Sequence, residues 1–314
     1  MGKFSYSKID TFKQCGFRYK LRYEDGYYVN SGNIATSFGT LIHEAEETIA
    51  QAIRDNVAID YAAIKNTFIL GLTKLQIKFP NDYSKPDKKS LKTYHEKAYE
   101  YLTTGIYRLE NFMKEHPSYT IVGIEQKFSF EFMDKYLFSG SIDRVFYDTA
   151  TNTYIIQDIK SWAAPKASTD LATPLQFVVY CLAAKKVYNI TTEDMKCQYD
   201  LPLCNIVQEI TSKGFMNRGI KKLEQLFQKI ENKEFDPNPS PLCHWCEYCP
   251  SNPAASEDGK WLCPYYSLWT ETNHTFEVET EWQGLQNHDL VMESYKHKIE
   301  QTKKFENLLK IKEN

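Results

Sequence analysis

The sequence predicts an α/β fold, with a mostly helical first third, a β-rich middle built around a hairpin, and a cysteine-rich loop followed by a helical tail. Three observations carry that expectation. Apolar residues recur at helical spacing near the start, alternate in a β-rich stretch from Thr120, and then return to helical spacing, giving the order α, β-meander, α, β, α. The 314 residues, 42% of them hydrophobic, suffice for one large domain or two modest ones around a real core. Eight cysteines, four of them within "PLCHWCEYCPSNPAASEDGKWLCPYY", mark a late loop that needs its own explanation.

The elements follow in chain order. "FSYSKIDTFKQCGFRYKLRYEDGYY" predicts a short helix beginning after Ser5 or Ser7. Along it Lys13, Arg18, Lys20 and Arg22 interleave with Phe12, Phe17, Tyr19 and Tyr23, a mix suited either to phosphate contact and base stacking or to the buried side of a helix. From Thr40, "TLIHEAEETIAQAIRD" places apolar residues at 41, 42, 45, 49, 52 and 53, an amphipathic helix with Thr40 as its cap. Residues 61 to 114 continue in helical vein, interrupted near "FPNDYSKPDKKS" by Pro and Asn. "TIVGIEQKFSFEFM" alternates as a strand does, and "GSIDRVFYDTATNTYIIQDIKSW" reads as a hairpin with "DTATN" as its loop. A helix at "PLQFVVYCLAAKKVYN", a strand around "MKCQYDLPLC", a helix at "RGIKKLEQLFQKIENKE" and a long charged helix at "LQNHDLVMESYKHKIEQTKKFENLLKIK" complete the chain, with no internal repeat.

Charge and composition exclude several classes. A formal net charge of −3 announces no polyanion partner, although local basic clusters exist. The sequence holds no apolar run long enough to span a bilayer, and its start lacks a secretory signal, so an intracellular, cytoplasmic protein with no membrane association is expected. The phosphate-binding pattern G-x-x-x-x-G-K-S/T is absent, so any unwinding of nucleic acid would fall to a partner such as a helicase or recombination protein.

The hairpin raises the chemical question, because strands rich in Ile, Val, Phe and Tyr carry Asp143, Asp158 and Lys160. Side chains alternate along a strand, so Tyr154, Ile156, Asp158 and Lys160 share one face, and Ile155, Gln157 and Ile159 the other. A hairpin can bring Asp143 alongside Asp158 and Lys160. Two close carboxylates repel unless a cation sits between them, and Mg²⁺ or Mn²⁺ chooses oxygen ligands of this kind. The competing reading is that Asp143–Arg144 and Asp158–Lys160 are solvated charges on an exposed sheet face. Glu125, in "IVGIEQKF", is either a further acidic ligand or an exposed strand residue.

The motifs together resemble the PD-(D/E)xK nuclease superfamily. The Asp of "GSIDR" and the D-I-K of "IIQDIKS" fit its Asp, then Asp/Glu-x-Lys pattern, with Asp143, Asp158 and Lys160 at the matching positions. Gln176 and Tyr180 fit the Gln-x-x-x-Tyr motif of the RecB-like branch, and Gly39 and His43 fit its Gly-x-x-x-His helix. The resemblance implies a restriction-endonuclease-like core in which Asp143, Asp158, His43 and the Ile159 carbonyl bind one or two Mg²⁺ or Mn²⁺ ions. It also implies that Lys160 positions the attacking water, and that Gln176 and Tyr180 contact substrate phosphate or orient the site.

The cysteines extend the resemblance. RecB-like enzymes of the CRISPR-adaptation and helicase-nuclease types often close the domain with a [4Fe–4S] cluster held by one early and three late cysteines. Here Cys15 is the early candidate, Cys243, Cys246 and Cys263 are the late ones, and Cys249 is the alternate. A Zn²⁺ site on Cys243, Cys246, Cys249 and Cys263 is the alternative. Cys181, Cys197 and Cys204 lie among apolar residues, as buried thiols do.

The expected organisation is a single nuclease domain over residues 1–265, with a helical insertion at about 45–115, and a helical extension over 266–314. The expected function is a metal-dependent exonuclease that prefers single-stranded DNA, in recombination, repair or phage DNA processing. A CRISPR-adaptation-type nuclease that trims ends within a complex, and a non-catalytic nucleic-acid-binding module with a structural metal cluster, are the alternatives.

Overall fold

A computed structural model describes residues 2–29, 32–86, 91–162, 164–167, 171–190, 195–249, 252, 255, 262, 263, 265–270 and 275–279. In chain order the first elements are β1 (Gly2–Phe4), α1 (Tyr6–Gln14), α2 (Gly16–Tyr19), α3 (Ile34–Arg54), α4 (Tyr61–Lys78), α5 (Pro80–Tyr83), α6 (Tyr94–Thr103) and α7 (Arg108–Glu115). Then come β2 (Tyr119–Phe132), β3 (Tyr136–Asp148), β4 (Thr153–Ile159), α8 (Leu175–Val187), β5 (Met195–Leu201), β6 (Ile206–Glu209), α9 (Phe215–Glu231), β7 (Tyr266–Thr270) and β8 (Thr275–Glu279). The chain divides into two compact units, Met1–Tyr6 with Gly32–Leu223, and Ser7–Ser31 with Glu224–Asn314.

The first unit is built on a six-stranded mixed sheet in the order β1-β3-β4-β5-β6, with β2 also paired to β3. The hairpin forms in the register Arg144↔Gln157 to Asp148↔Thr153, and Asn152 takes the left-handed conformation its turn requires (φ 54°). β2 runs antiparallel along one edge of β3 from Tyr136 to Asp148. The other edge of β3 is shared by two strands. β1 pairs with Tyr136–Phe138 and β4 with Arg144–Asp148, so residues 139–143 between them lie outside both ladders. Asp143 sits at the end of that gap.

Helices cover both faces. On one, Phe38, Ile42 and Ile49 of α3, Phe68 and Leu72 of α4, and Tyr101, Leu109 and Phe112 pack with Phe146, Ile155 and Ile159 of the hairpin. Against the other lies α8, whose Phe177 ring is 4.8 Å from Tyr199 and whose Tyr180 ring is 6.1 Å from Phe128. Gly219 lets α9 approach α8 closely, since a Cβ there would lie 2.2 Å from Val178 Cγ2. Cys181 and Cys197 are buried as expected, with their sulfurs 3.3 Å apart.

The helix expected to start at Thr40 begins two turns earlier. Asn33 is its cap, the side chain accepting a hydrogen bond from Thr36 N at 2.8 Å. The buried series Ile34, Phe38, Ile42, Ala45 and Ile49 runs unbroken through Gly39, and Thr40 in the interior donates its hydroxyl to the Thr36 carbonyl. The helical segment to Glu115 breaks where Pro and Asn foretold, after α5.

In the second unit the interleaved basic and aromatic residues of the N-terminal stretch are largely structural. Phe12 and Tyr19 are buried against Phe235, the Tyr19 and Phe235 rings stacking at 5.8 Å. Arg18 and Arg22 both pair with the buried Glu247, at 2.6 and 2.8 Å, and Lys20 with Asp25 at 2.6 Å. This outcome follows the second of the two readings of that stretch, because apolar area removed from water outweighs anything an exposed ring gains. β7 and β8 form an antiparallel hairpin that the sequence pattern did not signal. The helix expected over the C-terminal tail lies outside the described residues.

Candidate active site

All the charged residues of the expected site lie in the first unit. Past Arg144 and Gln157 the β3–β4 ladder ends, and Asp143 supplies the next acceptor itself: its Oδ2 takes the Ile159 N–H at 2.7 Å. The carboxylate replaces a strand carbonyl and opens a fork between the strands. Asp158 lies on the adjacent strand at the same level, with its Oδ1 accepting from Gln176 Nε2 at 2.9 Å and its Oδ2 2.6 Å from the Lys160 ammonium. The Lys160 amide donates to the Asp200 carbonyl at 2.8 Å, which carries the strand one residue beyond its formal end. Gln176 also donates to the Tyr180 hydroxyl at 2.9 Å, so the i, i+4 pair on α8 acts as one unit holding Asp158.

Helix α3 brings His43 to the same place. Its Nδ1 is 3.7 Å from Asp143 Oδ2, and the ring hydrogen-bonds the Ile159 carbonyl. Gly39, one turn earlier, faces the residue after Lys160: a Cβ there would stand 3.2 Å from Ser161 Oγ. From β2 comes Glu125, which holds a left-handed backbone (φ 41°) inside a strand and accepts a hydrogen bond from Ser141 Oγ at 2.8 Å. Such a conformation costs of order 1–3 kcal/mol in a non-glycine residue and persists where surrounding structure enforces it. Ligand atoms of His43, Glu125 and Asp143 all lie within 4.8 Å of one another.

The electrostatics define what this fork lacks. Burial pushes Asp143 up to about 6 and Asp158 up to about 7, against the lowering pull of Lys160. His43 is lowered, by burial first and by the Lys160 charge second, so it stays neutral near pH 7. Lys160 alone does not offset three converging carboxylates, and a neutral imidazole beside them is a ready ligand. Oxygen donors with one imidazole form a donor set for a divalent cation. The residues therefore fit a divalent cation.

The cysteines converge separately, within the second unit. Cys15, Cys243, Cys246, Cys249 and Cys263 line one cavity of about 30 Å³. Cys15 Sγ accepts from the Arg18 and Asn238 amides at 3.5 and 3.4 Å, and Cys243 Sγ from the Ser240 amide at 3.4 Å. Burial raises the thiols of Cys15 and Cys263 and pushes Cys246 up to about 12, so ligation would release protons. A tetrahedral zinc with bonds of about 2.3 Å places its sulfurs about 3.8 Å apart. Among the described residues, no three of these sulfurs lie within 4.8 Å of one another.

Sequence reasoning missed what stands behind the fork. Arg144 lies on the opposite face of β3 from Asp143 and is fully buried with Glu46 and Asp200. Nothing in the local sequence signals these partners, which lie 98 and 56 residues away. Glu125, by contrast, was already a candidate ligand in the sequence, and its left-handed backbone and its place beside His43 and Asp143 separate it from an ordinary strand glutamate.

A mixed sheet covered by helices on both faces, with buried carboxylates and a lysine at the mouth of a strand fork, gives a site fit for a divalent cation rather than a solvated charged surface. The model of the PD-(D/E)XK nuclease superfamily matches residues 3–252, and the chain belongs to that superfamily. No curated protein matches the chain. Membership makes a nucleic acid the expected class of substrate and a divalent ion the expected cofactor. Among the described residues, no helix is long and apolar enough to cross a membrane.

Proposed function

We propose that the protein is a Mg²⁺- or Mn²⁺-dependent deoxyribonuclease of the RecB-like branch that degrades single-stranded DNA from an end. The observation that carries the reading is the meeting of His43, Glu125 and Asp143 at one strand fork, with the Asp158–Lys160 pair on the adjacent strand held by Gln176 and Tyr180. A divalent ion, when bound, supplies a nucleophile from water near neutral pH and neutralises charge on the phosphate. His43, Asp143, Asp158 and the Ile159 carbonyl would hold it, with Glu125 as a further ligand. The Asp143 carboxylate keeps its orientation by accepting the Ile159 N–H, and Gln176 keeps that of Asp158. Lys160 orients the attacking water and offsets negative charge growing on the phosphate oxygens. The Tyr180 hydroxyl, raised by burial and the nearby carboxylates, remains protonated and can donate a hydrogen bond.

The cysteine cavity supports a [4Fe–4S] cluster held by Cys15, Cys243, Cys246 and Cys263, with Cys249 as the alternate. A cluster is wider than a single ion, in keeping with sulfurs spread beyond zinc spacing, and amide-to-sulfur hydrogen bonds of the kind seen at Cys15 and Cys243 suit cluster thiolates.

The test is end-labelled linear and closed circular single-stranded DNA of equal length, incubated with the cluster-loaded protein and Mn²⁺. Linear DNA is expected to disappear while circles persist. Equal loss of both means an endonuclease, and loss of neither, in a protein that binds Mn²⁺, favours a binding module.

A further inference from the structure

Behind the fork, on the opposite face of the sheet, lies a cluster of charge in the middle of the core. Arg144 Nη1 donates to Gln157 Oε1 at 2.6 Å and to Asp200 Oδ2 at 3.1 Å, and its Nη2 donates to Glu46 Oε2 at 3.1 Å. The Tyr101 hydroxyl donates to Glu46 Oε1 at 3.0 Å, and Arg108 pairs with Asp200. Arg144 is 1% exposed, and Glu46, Gln157 and Asp200 are 0%. Two guanidinium groups balance two carboxylates, so the cluster is neutral as a whole.

Four of its members, Arg144, Gln157, Glu46 and Asp200, are each tied to a residue of the fork. Arg144 follows Asp143 on β3, and Gln157 precedes Asp158 on β4. Glu46 is one turn from His43 on α3, and Asp200 pairs with Ile159 and accepts the Lys160 amide. A single guanidinium thus bonds side chains from α3, β4 and β5 while its own backbone carries Asp143. The face pattern explains how. Strand neighbours point to opposite faces, so a bond that fixes Arg144 against Gln157 fixes Asp143 against Asp158 on the far side.

We propose that Arg144, with Glu46 and Asp200, is a positioning cluster that sets the spacing of the metal ligands; this rests on the nuclease reading above. Buried ion clusters add little net stability compared with well-packed apolar side chains, because desolvation consumes much of the Coulomb gain. What an apolar core cannot do is hold three elements to a directional geometry, since apolar contacts have no preferred angle. A guanidinium fork does, through fixed donors. The cluster is therefore expected to govern metal affinity more than folding.

The test compares wild type, Glu46→Gln, and the charge-balanced pair Arg144→Met with Glu46→Gln. Thermal unfolding is read first without metal. Mn²⁺ affinity and the Mn²⁺ electron paramagnetic resonance line shape are then measured, followed by single-turnover cleavage of linear single-stranded DNA. The pair is expected to remain folded but to bind Mn²⁺ about tenfold or more weakly, with broadened lines and slower cleavage, and Glu46→Gln to show a smaller change of the same kind. Arg144→Lys, which keeps the charge without the fork, is expected to restore little of the affinity. If a folded variant binds Mn²⁺ and cleaves as wild type does, the positioning role is overturned. Should the pair fail to fold, Glu46→Gln decides, and an unchanged affinity and line shape in it overturns the role. Wild type that neither binds Mn²⁺ nor cleaves overturns the nuclease reading itself, and the positioning role with it.

Discussion

Raising the pH of the metal-free protein from 5 to 8 forces two buried carboxylates to ionise. Asp143 titrates at about 6 and Asp158 at about 7, where an unburied aspartate titrates at 3.8. The folded state therefore holds protons that the unfolded state has released, and stability falls as pH rises between about 4 and 7. At 2.303RT per pH unit the two groups are worth about 3 and about 4 kcal/mol, order-of-magnitude figures for a pair that also repels itself. A bound divalent ion removes the penalty, so the stabilisation it brings should grow with pH over the same window. The assay is titration calorimetry of Mn²⁺ binding in two buffers of different ionisation enthalpy, which counts protons released. The expected release is close to two at pH 5 and close to zero at pH 8. Asp158→Asn should lower the pH 5 figure by about one. A release of zero at pH 5 would mean that both carboxylates are already ionised without metal, and the argument from burial would be refuted.

Asp158→Ala and Lys160→Ala are each expected to abolish cleavage in a folded protein. They should differ in Mn²⁺ affinity, since only Asp158→Ala removes an oxygen ligand; direct binding measurements separate the two. Anaerobically purified protein is expected to contain iron and sulfide and to lose both with Cys15→Ala, whereas zinc without iron, unaffected by that change, would favour the zinc site. Glu247→Gln leaves Arg18 and Arg22 without their shared anion, and because both arginines are partly exposed the expected cost is about 2 kcal/mol, below that of a fully buried pair, read as a lowered melting temperature.

The alternation of apolar and charged residues made the hairpin legible, and with it the shared level of Asp143, Asp158 and Lys160, because strand period is a local property. The His43 and Gln176–Tyr180 helices were legible for the same reason. The start of α3 was not, since Gly39 and Thr40 resemble a cap where the buried series in fact runs through. The N-terminal aromatics offered two readings, and the buried one is recognised only from the position of Phe235 and Glu247, more than 200 residues on. Arg144 is the clearest case. Its sequence neighbours describe a solvated charge pair, and the partners that bury it arrive from a helix and a strand far along the chain.

The Asp143 carboxylate that accepts the Ile159 N–H makes this strand a double reporter. The amides of residues 155–157 sit between β3 and β5, so their hydrogen exchange requires the sheet to open. The Ile159 proton needs only one side chain to turn away. Its protection factor would therefore track the order of a single carboxylate while those of its neighbours track the whole unit, two clocks of different depth within five residues.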